Sequence, residues 1–284
     1  MCNTPRSANV CQATFLALAL SLSVPTFAAS HAAPRAPAPA TNASAPLTIA
    51  SAINKAGRQR MLSQRMVKAY CQLALKVEPE VSQKILQDSI ALFDAQLAEL
   101  RSISVKPELL QAWTNESEMW TQMRPVVTGR VSAEGAKKLM ELSETLLAAA
   151  HKLTQQLEVE SGKQAGHWVN IAGRQRMLSQ RISKFYMLRK LGFSTPESNA
   201  ALDKAVADFL SAHDALVKGA QNNPNISTEL RIAKTHWNFF NIALSNDSGD
   251  QIQLLEMVAD TSERVLAIMD RVTGMFEQAY TSNP

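Results

Sequence analysis

The chain has almost no cysteine to work with. Of its three cysteines, Cys2 and Cys11 sit in the N-terminal stretch and only Cys71 lies in the body. No internal disulfide can form there, so stability has to come from an apolar core. Glycine is scarce, at ten residues in 284, aromatics make up 6%, and long stretches carry no proline. These shortages speak against a sheet protein and for an all-α one. Long apolar runs are missing as well. The best candidate, from about Ala13 to Val24, is roughly a dozen residues, short of the ~20 that a membrane span needs. It follows Arg6 and precedes Thr26-Phe27-Ala28, which offers small residues for cleavage, so residues 1–28 read as a secretory signal peptide. The mature protein is then expected in the periplasm and not spanning the membrane. Residues 29–46, rich in alanine and proline, read as a disordered tether.

Catalytic constellations are absent too. His151, His167, His213 and His236 are scattered without metal-ligand spacing, and His31 falls in the tether. There is no Cys-x-x-Cys-His haem site, no Ser/His/Asp arrangement, no paired catalytic carboxylates and no phosphate loop. Neither an enzyme nor a resident cofactor or metal is expected. The basic balance, +4 with a pI near 9.0, does not point to nucleic acid either, because the export signal and a buried-looking basic stripe argue against that partner.

What the chain does have is a block that occurs twice. Ala56 through Arg65 (Ala-Gly-Arg-Gln-Arg-Met-Leu-Ser-Gln-Arg) returns unchanged as Ala172 through Arg181, 116 residues later. Asn54/Asn170, Lys68/Lys184 and Tyr70/Tyr186 extend the match, while the surroundings have drifted. Hydrophobic spacing puts each block on the first of four helices. In the first half these run from Leu47 to about Val77, from Glu80 to Ser102, from Pro107 to just before Pro125, and onward from Ser132. The second, third and fourth of them carry Val81, Phe93 and Leu97, then Trp113 and Trp120, then Leu139, Leu146 and Leu153. The second half repeats the plan and closes with a near-heptad seam from Leu254 to Phe276. The expected fold is all-α, two tandem four-helix up-down bundles over residues 47–160 and 161–284. Gly162 and Gly166 allow either a hairpin at the join or one continuous helix of about 60 residues.

Charge is segregated along this plan. Between Ser51 and Val77 there are six lysines and arginines, and between Ser161 and Pro196 seven; neither stretch contains an acid. At 100° per residue, Leu62, Met66 and Tyr70 should face their own bundle, and Arg58, Arg65 and Lys76 should face water. The third side of the helix is small and mostly apolar: Ile53, Ala56, Gly57, Val67 and Cys71, broken by Arg60 and Gln64. Its second copy includes Gly173, Arg176 and Gln180. If the two stripes meet, Arg60 faces Arg176, and a small planar oxyanion between their guanidinium groups would compensate the buried charge. Gln64 and Gln180 would add hydrogen bonds, and Gly57 and Gly173 would admit the close approach. The other reading keeps both arginines salt-bridged, to Glu141, Glu144, Glu256 or Glu263. Which of the two holds depends on whether a void or a carboxylate faces them.

At this block, Ile53-Asn54-Lys55-Ala56-Gly57-Arg58-Gln59-Arg60-Met61 resembles the signature helix of the PilJ/NarX-type sensory domain. That domain is the periplasmic module of nitrate and nitrite sensor kinases and of the type IV pilus methyl-accepting transducer. The resemblance implies that the arginine before the methionine, Arg60 or Arg176 here, binds nitrate or nitrite where two such helices meet. Arg58-Gln59 and Ser63-Gln64 follow the pilus-transducer pattern, not that of the kinases. The implied protein is a periplasmic sensory module whose two copies form an internal pseudo-dimer, or a homodimer if the join is a continuous helix. It would pass its signal to a membrane-bound sensor kinase or chemotaxis transducer. The alternative is a scaffold of the envelope or type IV pilus system with no small ligand.

Overall fold

Short polar side chains and prolines start these helices. In a computed structural model, residues 47–162, 164–221, 223–246 and 251–282 are described, and the expected signal peptide and tether lie outside them. The described residues form eight helices and no strand: α1 (Ile49–Ala74), α2 (Pro79–Ile103), α3 (Pro107–Val127), α4 (Ala133–Ser161), α5 (Gln164–Lys190), α6 (Pro196–Gly219), α7 (Pro224–Ser245) and α8 (Gln251–Ser282). Thr48 and Ser132 cap α1 and α4, their hydroxyls accepting from the backbone N–H of Ser51 and Gly135. Four helices open on a proline, whose missing N–H costs nothing in a first turn.

One boundary differs from expectation: α3 runs past Pro125 to Val127. Proline removes one helical hydrogen bond, yet the end is closed behind it by Thr128 N–H to Arg124 O (3.0 Å) and Gly129 N–H to Val126 O (3.2 Å). Val81 also departs from its expected core position and is exposed, while Leu86 takes the buried place on α2.

The join between the halves is a hairpin. Gly162 adopts a left-handed φ of +58° at the end of α4, which a side chain would resist. Beyond it α5 turns back, bringing His167 to 2.8 Å from Glu158 of α4. The continuous-helix alternative is thereby excluded, and α1 and α5 run parallel. They meet in register: Gly57 Cα is 4.0 Å from the point where a Cβ on Gly173 would stand.

This contact between α1 and α5 is the most extensive among the described helices, which together form one compact unit. Helices α1, α4, α5 and α8 make an inner bundle; α2 and α3 flank one side of it, α6 and α7 the other. Each half keeps an aromatic pair in its own core, Phe93 with Trp120 (4.4 Å) and Phe209 with Trp237 (4.3 Å). Because α8 covers α1, Arg58 and Arg65 do not face water as the helical wheel suggested; only Lys76 does.

One glycine is fixed by close approach. Tyr70 is fully buried, and its hydroxyl donates to Arg130 O (2.9 Å) and accepts from Ser132 N–H (3.1 Å), pinning the α3–α4 turn. A Cβ on Gly135 would stand 2.1 Å from that hydroxyl. Gly135→Ala is therefore expected to lower unfolding free energy by about 1–3 kcal/mol, the usual penalty for overpacking, measured as a drop in the urea midpoint with an unchanged slope.

Candidate functional site

A small-residue stripe lets two helices touch, and here it lets two arginines lie under their backbones. Arg60 and Arg176 are among the largest fully buried side chains of the protein. Their guanidinium groups meet over the glycine pair: the Cβ position of Gly57 is 3.2 Å from Arg60 Nη2 and 3.6 Å from Arg176 Nη2. The Gly173 position sees the same two atoms at 3.6 and 3.2 Å.

Each arginine is held by the facing helix. Arg60 Nη2 donates to the side chain of Asn170 (2.7 Å) and to its backbone carbonyl (3.3 Å). Arg176 Nη2 donates in the same way to Asn54, at 2.8 and 3.2 Å. Behind the asparagines stand two acids, Asn170 donating to Glu158 and Asn54 to Glu277. Gly57 and Gly173 thus sit at the contact, as the stripe suggested. Gln64 and Gln180 turn away from it, their amides donating to Ser143 O (3.1 Å) and Ser262 O (3.0 Å).

The two-fold symmetry breaks at the second amine of each guanidinium. Arg176 Nη1 donates to the Asp270 carboxylate, which also accepts from Arg58 (2.8 Å). Arg60 Nη1 instead meets His151 Nδ1 at 3.2 Å, and no carboxylate pairs directly with Arg60 among the described residues. Since the arginine must donate, His151 Nδ1 accepts, which fixes the neutral tautomer. Burial, reinforced by the Arg60 and Arg174 charges, pushes the His151 pKa down to about 4. Burial and then the neighbouring Arg176 charge likewise bring Arg60 down to about 9. The Nε of both arginines is buried without a partner. A carboxylate therefore faces one arginine and a void faces the other: a cleft of about 380 Å³ opens beside Arg60, lined also by His151, Asn170 and Arg174.

Around this centre, acids and bases exchange between halves. Glu263 of α8 accepts from Arg65 and Lys68 of α1, and Glu144 of α4 accepts from Arg181 and Lys184 of α5. Both lysines are fully buried. On the alternative reading these acids would pair with Arg60 and Arg176; instead they pair one and two turns further along the same helices.

The sequence reading gave no role to His151, His167 or Asp270; His151 and Asp270 escaped it because it followed the repeat only at an offset of 116. Helices α4 and α8 repeat at 119: Ser143/Ser262, Glu144/Glu263, Leu147/Leu266, Thr154/Thr273 and Glu158/Glu277 are identical, and His151 matches Asp270. That second repeat was a signal in plain view.

The family model for type IV pili methyl-accepting chemotaxis transducer N-terminal domains matches residues 46–160 and again 157–238. No curated protein and no solved structure matches the chain. None of the described helices is long and apolar enough to cross a membrane.

Proposed function

The chain belongs to the family of type IV pili methyl-accepting chemotaxis transducer N-terminal domains, and from that premise we propose that it is a non-catalytic sensory protein for a small planar oxyanion. Nitrate and nitrite are the simplest members of that class. Arg60 is the receptor group, and the signal passes to a membrane-bound kinase or transducer from the periplasm, where the signal-like N-terminus would deliver the protein.

The observation that carries this reading is the unequal treatment of two equivalent arginines. Arg176 has a carboxylate; Arg60, equally buried, has a histidine kept neutral and an adjoining cleft. An unmatched buried charge costs several kcal/mol, which an entering anion would recover. A planar oxyanion suits it because a guanidinium fork matches such an anion in shape as well as charge. The arrangement also supports a sensing role mechanically. Arg60 lies where α1 and α5 touch, so an anion drawn to it acts on the contact that joins the two halves.

Thermal denaturation in millimolar nitrate, nitrite, sulfate and chloride tests this. An anion at 100 times its dissociation constant should add about 2.7 kcal/mol, several degrees in melting temperature. The shift should be specific to the planar oxyanions and vanish in Arg60→Ala. If no planar oxyanion, inorganic or organic, raises the melting temperature, the sensory reading fails and a scaffold without a small ligand is the better account.

A further inference from the structure

The second half of the protein carries its own anion. Asp270 Oδ1 accepts from both Arg176 and Arg58, so a carboxylate is clamped between two guanidinium groups. The counterparts of Arg176 and Arg58 across the 116-residue repeat are Arg60 and Arg174. The counterpart of Asp270, across the 119-residue repeat of α4 and α8, is His151. The register of that second repeat is secured by contacts on both sides of the substitution. Ser143 and Ser262 accept from Gln64 and Gln180 alike, and Glu158 and Glu277 hold the two asparagines alike. The equivalent site therefore keeps both arginines of the clamp, one from α1 and one from α5, and has His151 where the carboxylate would stand. Arg60, His151 and Arg174 all line the cleft of about 380 Å³.

We propose that this cleft binds the carboxylate of a small organic acid, seated between Arg60 and Arg174 as Asp270 is seated between Arg176 and Arg58. The inference rests on Arg60 being an anion receptor, and it names both the place and the ligand chemistry. The site lies to one side of the α1–α5 contact, within the first half-site, and there is one per chain because Asp270 fills the other. An organic acid fits better than a bare inorganic oxyanion because the cleft is far larger than a three-oxygen ion. Beyond the arginines it is lined by Ser211, Gln155 and Ile171, residues of mixed polarity for a ligand's body. Two acids also line it. Asp208 accepts from Arg174 Nη2 (2.8 Å) and from Lys204, and Glu158 is engaged by His167 and Asn170. A ligand carboxylate would share Arg174 with Asp208 and meet Arg60 with no protein carboxylate paired directly to it among the described residues.

Isothermal titration of the full chain with acetate, succinate and nitrate tests the proposal. Acetate or succinate should bind with one site per chain, and Arg174→Ala should weaken binding about tenfold or more, the loss expected for one charged hydrogen bond. His151→Asp should abolish binding by installing the missing carboxylate, and should melt above the parent. His151→Asn, similar in shape and neutral, should keep it; that separates lost charge complementarity from lost folding. Nitrate binding that is lost in Arg60→Ala but unchanged in Arg174→Ala and His151→Asp would overturn this site while leaving the anion receptor standing. If none of the three anions binds, both readings fall.

Discussion

Replacing Glu263 with alanine should cost the protein about 3–5 kcal/mol, the penalty for orphaning a buried charge. The carboxylate accepts from Lys68 and Arg65, and the Lys68 side chain has no exposed surface. Burial alone would raise the Glu263 pKa; the two cations outweigh it and hold the pKa down to about 2. In the variant Lys68 keeps only the Ser262 hydroxyl at 3.2 Å, too little for an ammonium group out of water. The expected drop in melting temperature is on the order of 10 °C for a domain of this size. The pH dependence has a definite sign. Without its acid, Lys68 has a folded pKa further below its unfolded value, so the unfolded state binds the extra proton and stability rises with pH. The deficit of Glu263→Ala should thus shrink from neutral pH toward 10. In the parent the depressed Glu263 pKa contributes stability above its unfolded value near ~4.3, lost as pH falls toward 2. Replacing Lys68 and Glu263 together with methionine should recover part of the loss, because the fully buried ammonium is then gone while Arg65, which is partly exposed, keeps only the Ser89 hydroxyl. A variant melting within a degree or two of the parent, at every pH, would mean that the pair does not tie α1 to α8.

The same pair shows what was and was not legible in the sequence. The duplicated block and the helices could be read directly, and a stripe of Ala56, Gly57 and Cys71 marked a close helix contact. That Arg60 meets Arg176 within one chain depended on the hairpin at Gly162, which propensity left open. The environment of the basic helices could not be read. Lys68 and Arg65 find their acid on α8, from the other half, so a wheel drawn for an isolated bundle places Arg58 and Arg65 in water. Partners chosen across 198 residues, as Arg65 and Glu263 are, leave no periodic trace on either helix. His151 and Asp270 were hidden by bookkeeping of offsets, since the two halves differ by three residues between α5 and α8. Pro125 misled for a simpler reason: its last-turn position costs one hydrogen bond and leaves room for three more residues.

Glu116 carries the second large effect. It lies on α3, fully buried, and neither carboxylate oxygen has a hydrogen-bond partner. Aligning Trp120 with Trp237 sets Ala233 at the corresponding place on α7, so the other half has nothing of the kind. Burial pushes the Glu116 pKa up to about 8, although the Arg60 charge pulls the other way. The group is therefore a neutral acid at pH 7 inside the first half. Because its folded pKa lies above the unfolded one, the folded state holds a proton that the unfolded state releases. Stability falls as pH rises from about 4.5 to 8 and levels off above that, by a few kcal/mol in total. Glu116→Gln keeps the shape and removes the proton. The difference in unfolding free energy between variant and parent should grow in the variant's favour across that window, and taking the difference cancels the other titrating groups. A difference that stays flat from pH 4.5 to 8 would mean Glu116 is ionised and solvated, with no proton to lose. The prediction also reaches the candidate site, since Arg60 is the charge that restrains this pKa. With Arg60→Ala in the background, the window should extend to higher pH. An anion seated against Arg60 should move it the same way, making the pH dependence of the protein's melting curve a reporter on whether the receptor is filled.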